Sequence, residues 1–362
     1  MEVNPLHAIR EDVRAMGAYH APSAEGLIKL DAMENPYALP APLAQALGER
    51  LAAVAINRYP SADPVAFKAK LAARIGLPEG AALALGNGSD ELIHLLIQAV
   101  AQAGAVVMAP APSFVMYEMS ARFNQCRFVG VPLKPDFSLD REAMLGAIAE
   151  HQPALIFLAW PNNPTGNLFA REDFEAILAA APGLVISDEA YLPFAQDTWL
   201  PRLADQGQDG RLLVLRTFSK LGMAGIRLGY LCGPQVLVDE INKVRPPYNV
   251  NSLSLAAADF LLDHLEVLED QAAVLRSERA KLAHELAALP GVTVFPAAGN
   301  FILFRVADAD TVFAGLKARA ILIKNVSRAH PLLTGCLRTT VGKPQENAAF
   351  LAALQATLAQ VT

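Results

Sequence analysis

The chain of 362 residues has little cysteine, no excess of positive charge and no long apolar run. Its three cysteines, Cys126, Cys232 and Cys336, are far apart, which argues against a disulfide framework and favours a reducing compartment. The net charge of −6 does not suit a nucleic-acid binder. No stretch reaches the roughly 18 uninterrupted apolar residues of a membrane helix, and the first residues lack the apolar core of a signal peptide. We therefore expect a cytoplasmic protein without a membrane or nucleic-acid partner.

The residues that are present are typical of a globular enzyme with a large core, since 53% are hydrophobic and 18% are charged. Short apolar runs that alternate with helical patterns predict an α/β fold with a mostly parallel sheet. The predicted strands are Ala105–Ala109, Arg127–Leu133, Ala154–Trp160, Leu184–Ser187, Leu212–Leu215 and Leu228–Cys232, and the helices include Asp90–Gln102, Ser113–Phe123, Asp140–Glu150 and Arg171–Ala180. Alanine-rich stretches are predicted as helix because alanine has the highest helix propensity.

Beyond about residue 255 the pattern changes to that of a smaller α+β domain. A long helical pattern over residues 254–289, with expected interruptions, precedes the predicted strands VTVFP, NFILFRV and ILIKNV and a closing helix at Gln345–Gln360. The most apolar stretch of the chain, residues 92–112, is broken by polar residues and by Gly104. It is therefore predicted as a buried helix followed by a strand.

Short polar motifs follow several predicted strands, at the edge where open α/β sheets bind ligands. GNGSDE, residues 86–91, opens an apolar helix and is typical either of a phosphate site or of an ordinary cap formed by Ser89 and Asp90. WPNNPTG, residues 160–166, places Asn163 in a turn, where its amide could bind a ligand oxygen.

The next two motifs each carry one charged residue at a strand end. Asp188 in LVISDEAY could cap a helix, bind the metal of a nucleotide hydrolase or pair with a protonated ligand nitrogen. The hydrolase needs a phosphate loop, but the single Gly-Lys pair, Gly342-Lys343, is followed by proline. Lys220 in RTFSKLGMAGIRLGY follows a core strand. Most lysines are solvated surface charges, but one shielded from water supplies a neutral amine that can attack a carbonyl.

Together these motifs match the chemical groups of one cofactor, pyridoxal phosphate. Its aldehyde suits Lys220, its ring nitrogen suits Asp188, and its phenolic oxygen suits Asn163 and Tyr191. Its phosphate suits the GNGSDE motif, together with Arg227, which follows the lysine by seven residues. The histidines form no pattern that indicates a metal site.

With NRYP (57–60), RPPYNVN (245–251), GNFILFR (299–305) and GCLRTTVG (335–342) added, nearly the whole chain resembles the fold-type I aminotransferases, and within them the histidinol-phosphate aminotransferases. The resemblance implies the fold of a type I pyridoxal-phosphate-dependent transferase. A large α/β/α domain at 41–255 would bind the cofactor, and a smaller α+β domain would span 256–362. An N-terminal segment, 1–40, would join the small domain and cover the active site.

The resemblance also implies roles for individual residues. Lys220 would form the Schiff base with the cofactor and move the substrate α-proton, while Asp188 would pair with the pyridinium nitrogen. The remaining cofactor residues would be Asn163 and Tyr191 at the phenolic oxygen, Phe114 on the ring, and Gly88, Ser89, Asp90, Ser219 and Arg227 around the phosphate, with Ser89 and Asp90 acting through backbone N–H groups. Substrate would meet Asn163, Arg338, Lys324 and Tyr19. Tyr59 would reach the partner subunit's cofactor, so the protein would be a homodimer.

The activity that the resemblance implies is transamination of L-histidinol phosphate with 2-oxoglutarate in histidine biosynthesis. An aromatic-amino-acid aminotransferase and an amino-acid phosphate decarboxylase are alternatives on the same scaffold, because they share the cofactor motifs. A regulator that senses the cofactor would need a DNA-binding domain ahead of the cofactor-binding pattern. That pattern starts within about 45 residues of Met1, which leaves too little chain for such a domain, so we do not favour this alternative. Two positions depart from many relatives: Met33 replaces asparagine, and Lys324 replaces an arginine whose role Arg328 could take instead.

Overall fold

The computed structural model describes residues 4–17, 23–207 and 210–361. Its strands are β1 (Ile28–Lys29), β2 (Ala81–Gly86), β3 (Val106–Ala111), β4 (Arg127–Pro132), β5 (Leu155–Ala159), β6 (Leu184–Asp188), β7 (Leu212–Thr217), β8 (Gly229–Pro234), β9 (Thr293–Val294), β10 (Phe301–Arg305), β11 (Ile321–Leu322), β12 (Lys324–Asn325) and β13 (Cys336–Thr340). Its α-helices are α1 (Glu11–Arg14), α2 (Ala41–Ala52), α3 (Val65–Ile75), α4 (Ser89–Val100), α5 (Val115–Phe123), α6 (Arg141–His151), α7 (Arg171–Ala180), α8 (Leu192–Ala195), α9 (Gln235–Val244), α10 (Ser252–Leu262), α11 (Leu265–Ala287), α12 (Ala309–Ala318) and α13 (Pro344–Val361).

The larger sheet has seven strands in the order β2-β8-β7-β6-β5-β3-β4. Strand β8 runs antiparallel to both of its neighbours, and the pairs among β3 to β7 are parallel. The predicted mostly parallel sheet is therefore confirmed. Because β5, β6 and β7 are adjacent and parallel, the loops that follow them lie along one edge of the sheet.

Both faces of this sheet are buried, which explains why its strands appear as continuous apolar runs. Along β5, Phe157 packs into the cluster that holds α4 and α5, while its neighbours Ile156 and Leu158 pack into the cluster on the other face. Each such side chain contributes about 1.5–3 kcal/mol when it is removed from water. The two-sided burial fixes the strands and so fixes the loops at their ends.

Strand β2 was not predicted, and its alanine-rich sequence AALALG favours helix. In the structure all six of its residues pair with β8. Sheet pairing and burial thus override local propensity, as they often do in strands. The prediction that alanine-rich stretches are helical is wrong at this position.

The apolar stretch at 92–112 forms most of helix α4 and strand β3, as predicted. Within the ranges that the structure describes, no helix combines the length and apolar character needed to cross a membrane.

The C-terminal part builds a second, antiparallel sheet in the order β12-β13-β10-β9. The predicted long helix is two helices, α10 and α11, which Asp263 and His264 separate. Near the N-terminus, β1 pairs in parallel with β11, so the chain before α2 lies against this C-terminal part.

Candidate active site

One pocket lies at the carboxyl ends of β5, β6 and β7. Its lining residues are Met33, Ser89, Asp90, Phe114, Tyr117, Ala159, Pro161, Asn163, Asp188, Ala190, Tyr191, Thr217, Ser219, Lys220 and Arg227. The fold thus brings together nine of the residues that the sequence analysis names for a cofactor: Ser89, Asp90, Phe114, Asn163, Asp188, Tyr191, Ser219, Lys220 and Arg227.

Lys220 projects into this pocket from a short 3₁₀ turn, Ser219–Leu221, that directly follows β7. Its Nζ donates a hydrogen bond to the carbonyl oxygen of Ala32 at 3.1 Å and lies 6.0 Å from the ring centroid of Tyr191. Loss of hydration, reinforced by the positive charge of Arg338, lowers the pKa of Lys220 to about 8. The neutral, nucleophilic form of this amine is therefore far more populated near physiological pH than it is in an ordinary lysine.

Asp188 is the last residue of β6 and is buried. Tyr117 Oη donates to its Oδ2 at 2.6 Å, and the backbone N–H of Ala190 donates to its Oδ1 at 3.1 Å. Burial raises the pKa of Asp188 to about 6, although the Tyr117 hydrogen bond opposes this shift. The pocket thus holds a buried acid that can pair with a protonated nitrogen of a ligand.

Arg338, Asn163 and Tyr191 form a chain of hydrogen bonds along one wall. Asn163 Nδ2 donates to Tyr191 Oη at 3.1 Å, and Arg338 Nη1 donates to Asn163 Oδ1 at 2.5 Å. Arg338 Nη2 also donates to the carbonyl oxygen of Asp31 at 2.9 Å. Arg338 is only 7% exposed, so the surface ion pair that its spacing alone would favour is not what the structure has. Burial raises the pKa of Tyr191 well above its ordinary value, which keeps the phenol protonated.

The opposite corner of the pocket is built to hold an anion. Helix α4 begins at Ser89 after Gly88, which has φ +81° and provides no side-chain cap. Arg227 Nη1 donates to Ser219 Oγ at 3.2 Å, and its Nη2 lies 3.4 Å from Asp90 Oδ2. A Cβ on Gly88 would lie 2.6 Å from Arg227 Nη2. A helix N-terminus, a hydroxyl and a guanidinium therefore converge, a combination that suits a phosphate.

The first helical turns near Phe114 and the segment around Met33 complete the walls. Phe114 precedes α5, and its ring meets that of Tyr117 edge to face, with centroids 5.6 Å apart. The backbone N–H of Met33 donates to Thr340 Oγ1 at 3.0 Å, and Asn300 Nδ2 donates to the Met33 carbonyl at 2.9 Å. These two bonds fix the N-terminal segment against the C-terminal sheet.

Four predicted residues that the structure describes, Gly88, Tyr59, Lys324 and Arg338, are not among those that line this pocket. Tyr59 is 82% exposed and stacks on Tyr248, with centroids 4.8 Å apart. Lys324 lies directly opposite Arg338 in the β12–β13 pair. Arg338 adjoins the pocket through its bond to Asn163. Tyr19 lies outside the described residues.

Arg328, the alternative to Lys324, points away from the site. Its side chain is 85% exposed, and its Nη2 donates to Asp310 Oδ2 at 2.5 Å. Of the two candidates, the structure brings only Lys324 beside Arg338.

The sequence analysis missed Tyr117, the residue in contact with Asp188. A tyrosine inside an amphipathic helical pattern is typical of an ordinary core residue. The ring of Tyr117 does pack in the core, because it stacks on Phe157 of β5. The signal that could have found it is its position three residues after Phe114, on the same face of the helix.

Comparison with known proteins points to a single family. The family model described as aminotransferase class I and II matches residues 25–354. A Burkholderia lata protein named histidinol-phosphate aminotransferase 1 is 59% identical over 355 residues, which cover 98% of this chain and 99% of the relative. A Chromobacterium violaceum protein named histidinol-phosphate aminotransferase is 53% identical over 355 residues, with 98% and 99% of the two chains covered.

Solved structures have the same fold. The histidinol-phosphate aminotransferase from Sinorhizobium meliloti in complex with pyridoxal-5'-phosphate matches with a TM-score of 0.82 and 25% identity over 92% of this chain and 91% of that one. The histidinol-phosphate aminotransferase from Clostridium acetobutylicum matches with a TM-score of 0.82 and 23% identity over 91% of this chain and 98% of that one. The predicted fold class is confirmed.

Proposed function

We propose, from the premise that this chain belongs to the class I and II aminotransferases and among them to the histidinol-phosphate aminotransferases, that it transfers the amino group of L-histidinol phosphate to 2-oxoglutarate. The products are imidazole acetol phosphate and glutamate, and the reaction serves histidine biosynthesis. One observation carries the proposal: a lysine shielded from water, a buried aspartate and an anion-binding corner line the same pocket. The use of 2-oxoglutarate and residence in the cytoplasm rest on the sequence analysis.

The cofactor of the proposed reaction is pyridoxal phosphate, and the residues of the pocket fit its groups. Arg227, Ser219 and the N-terminus of α4 would hold the phosphate, and the absence of a Cβ at Gly88 leaves room for it beside the guanidinium. Asp188 would meet the ring nitrogen, and Phe114 would lie against the ring. When bound, the cofactor supplies an aldehyde that condenses with amines and a ring that accepts an electron pair.

Lys220 does two things in the proposed reaction. It attaches the cofactor through Nζ, for which the amine must be neutral, and its lowered pKa of about 8 supplies that form. When its Nζ is free, Lys220 would be the acid–base group that moves the proton of the substrate Cα. A base whose pKa lies near the working pH is suited to both directions of this transfer.

Arg338 binds the anionic end of each substrate, the phosphate of histidinol phosphate and a carboxylate of 2-oxoglutarate. Its planar guanidinium matches both groups. Lys324, opposite it in the neighbouring strand, adds a second positive charge on the same face of the sheet. Asn163 and Tyr191 would orient the cofactor's phenolic oxygen. The role proposed for Tyr19 at the substrate rests on the family resemblance alone.

We further propose that the enzyme is a homodimer in which Tyr59 contacts the partner subunit's cofactor. Tyr59 is highly exposed and is not among the residues that line the pocket of its own chain, which supports a role in another subunit. The proposed division into an N-terminal segment (1–40), a cofactor-binding domain (41–255) and a small domain (256–362) is supported by the two separate sheets and by the β1–β11 pair.

Product analysis tests the substrate assignment. Purified protein with pyridoxal phosphate should form glutamate from histidinol phosphate and 2-oxoglutarate at least tenfold faster than from phenylalanine or tyrosine. It should release no carbon dioxide from O-phosphothreonine. Faster turnover of an aromatic amino acid, or decarboxylation of the phosphorylated one, would contradict the proposal and favour the corresponding alternative.

A further inference from the structure

Tyr117 of α5 contacts Asp188, and both residues line the pocket. Its side chain is fully buried, and its hydroxyl donates to Asp188 Oδ2 at 2.6 Å. The ring is held on two sides, because it stacks on Phe157 at 4.4 Å with an interplanar angle of 6° and meets Phe114 at 5.6 Å and 85°. The hydroxyl therefore has a fixed direction, toward the carboxylate.

The surroundings of Asp188 otherwise disfavour its charge. Burial acts most strongly, and the carboxylates of Asp90 and Glu189 add repulsion; all three raise the pKa of Asp188. Two hydrogen bonds oppose them, one from Tyr117 to Oδ2 and one from the Ala190 N–H to Oδ1. Each oxygen thus has one donor, so the plane of the carboxylate is fixed as well as its charge.

We propose that Tyr117 is a positioning residue that acts through Asp188 to keep a proton on the ring nitrogen of bound pyridoxal phosphate. The inference rests on the proposed function. A carboxylate that accepts a short hydrogen bond from a phenol is a weaker base, so it competes less for a proton shared with a pyridine nitrogen. Without the hydroxyl, the proton moves toward Asp188, and the neutral ring becomes a poorer acceptor for the electron pair released at Cα.

A purely structural role for Tyr117 is the alternative, since buried tyrosine hydroxyls need some partner. Tyr230 provides the matched control. It is buried to a similar degree, its hydroxyl bonds to Arg216 rather than to Asp188, and it packs on Phe218 at 5.4 Å outside the pocket. Removing either hydroxyl leaves the ring in place, but only one removal changes the basicity of Asp188.

The test uses the full chain loaded with pyridoxal phosphate labelled with ¹⁵N in the ring. In the wild type and in Tyr230→Phe the nitrogen resonance should lie at the protonated position between pH 7 and 8. In Tyr117→Phe it should move toward the position of neutral pyridine, and the dissociation constant of the cofactor should rise about tenfold, as expected for the loss of a hydrogen bond to a charged group.

A resonance in Tyr117→Phe that matches the wild type would overturn the inference. If that variant does not fold, Tyr117→4-aminophenylalanine keeps the ring and a weaker donor, and its resonance should lie between the two positions; an unchanged resonance there overturns it equally. In an Asp188→Asn background, Tyr117→Phe should shift the resonance no further, whereas a further shift would show that Tyr117 acts by another route. A wild type that binds no pyridoxal phosphate would instead refute the proposed function.

Discussion

At the scale of single residues, the pocket shifts the pKa values of two ionisable groups toward neutral pH. Loss of hydration lowers the pKa of Lys220 to about 8 and raises the pKa of Asp188 to about 6. Both shifts mean that the charged form is less stable in the folded chain than in the unfolded one. The site therefore costs stability, and that cost should be measurable.

Lys220→Met should stabilise the cofactor-free protein at pH 7 by roughly 2–3 kcal/mol. The folded-state pKa of about 8 lies below the ordinary value of 10.5. The unfavourable burial of charge is thus fully present below pH 8, and it disappears as the pH rises toward 10.5. Urea unfolding at pH 7 and at pH 10.5 measures the effect, and the gain should shrink at the higher pH.

The exposed Lys317 of α12 gives the control for this experiment. Lys317→Met should change the free energy of unfolding by the same small amount at both pH values. An equal gain for Lys220→Met at the two pH values would mean that the site does not hold a destabilised charge.

How well a residue could be predicted depended on its place in the sequence. Lys220 and Asp188 follow apolar runs directly, so a strand-end pattern locates them. Tyr117 and Arg338 reach the site through packing between distant elements, and no local pattern encodes such contacts. The family resemblance identified Arg338, but nothing in the sequence analysis identified Tyr117.

At the scale of elements, the start of α4 is the structure most sensitive to a single atom. Gly88→Ala should weaken pyridoxal phosphate binding at least tenfold, because the new Cβ would lie 2.6 Å from Arg227 Nη2 and displace the guanidinium. Gly104 shares the φ of +81° but has no atom within 4 Å of the added Cβ. Gly104→Ala should therefore show the same loss of stability, about 1–2 kcal/mol, with unchanged affinity. Equal affinities of the two variants, measured by cofactor titration, would contradict the proposed phosphate site.

The pairing of β12 with β13 predicts how substrate is held. Lys324→Met should raise the KM for histidinol phosphate about tenfold, since Lys324 lies opposite Arg338 and a hydrogen bond to a charged group contributes about 1.5 kcal/mol or more. Arg328→Met should leave the KM nearly unchanged, because that side chain is 85% exposed and bonded to Asp310. Steady-state kinetics of the two variants measure both KM values. A larger rise in KM for Arg328→Met than for Lys324→Met would assign the binding of the substrate phosphate to Arg328.

Strand patterns were predictable where burial on both faces left a run without polar residues, as in β5 and in residues 212–215 of β7. They failed for β2, where helix-favouring alanines are held in a strand by pairing with β8. Such pairing depends on a segment more than 140 residues away, which a local window cannot include. The same limit hid the antiparallel direction of β8.

At the scale of the whole molecule, the pocket is lined by residues around the larger sheet and by Met33 of the N-terminal segment, and the C-terminal sheet adjoins it through Arg338. Arg338 of β13 bonds to Asn163 of the loop after β5 and to the carbonyl of Asp31. The domain boundaries and the subunit arrangement remain predictions, because a single chain's sequence and fold do not determine how a second copy binds.

A mixed dimer tests whether Tyr59 serves the partner's site. Lys220→Ala and Tyr59→Ala homodimers should both have strongly reduced turnover. Mixing the two chains under conditions of subunit exchange should restore activity, up to one intact site per hybrid, because one site then has both Lys220 and the partner's Tyr59. Lys220→Ala mixed with Asp188→Asn is the control, because both residues line the pocket of their own chain and their hybrid should recover no activity. No recovery in confirmed hybrids of Lys220→Ala with Tyr59→Ala would contradict the shared site.

The most direct measurement is the absorbance spectrum of the protein loaded with pyridoxal phosphate, recorded before and after addition of histidinol phosphate without any keto acid. A visible band of lysine-bound cofactor should bleach at low histidinol phosphate and return when 2-oxoglutarate is added. Tyrosine, phenylalanine and O-phosphothreonine should leave the band unchanged at the same concentration. A band that histidinol phosphate does not bleach, or that an aromatic amino acid bleaches first, would contradict the proposed substrate.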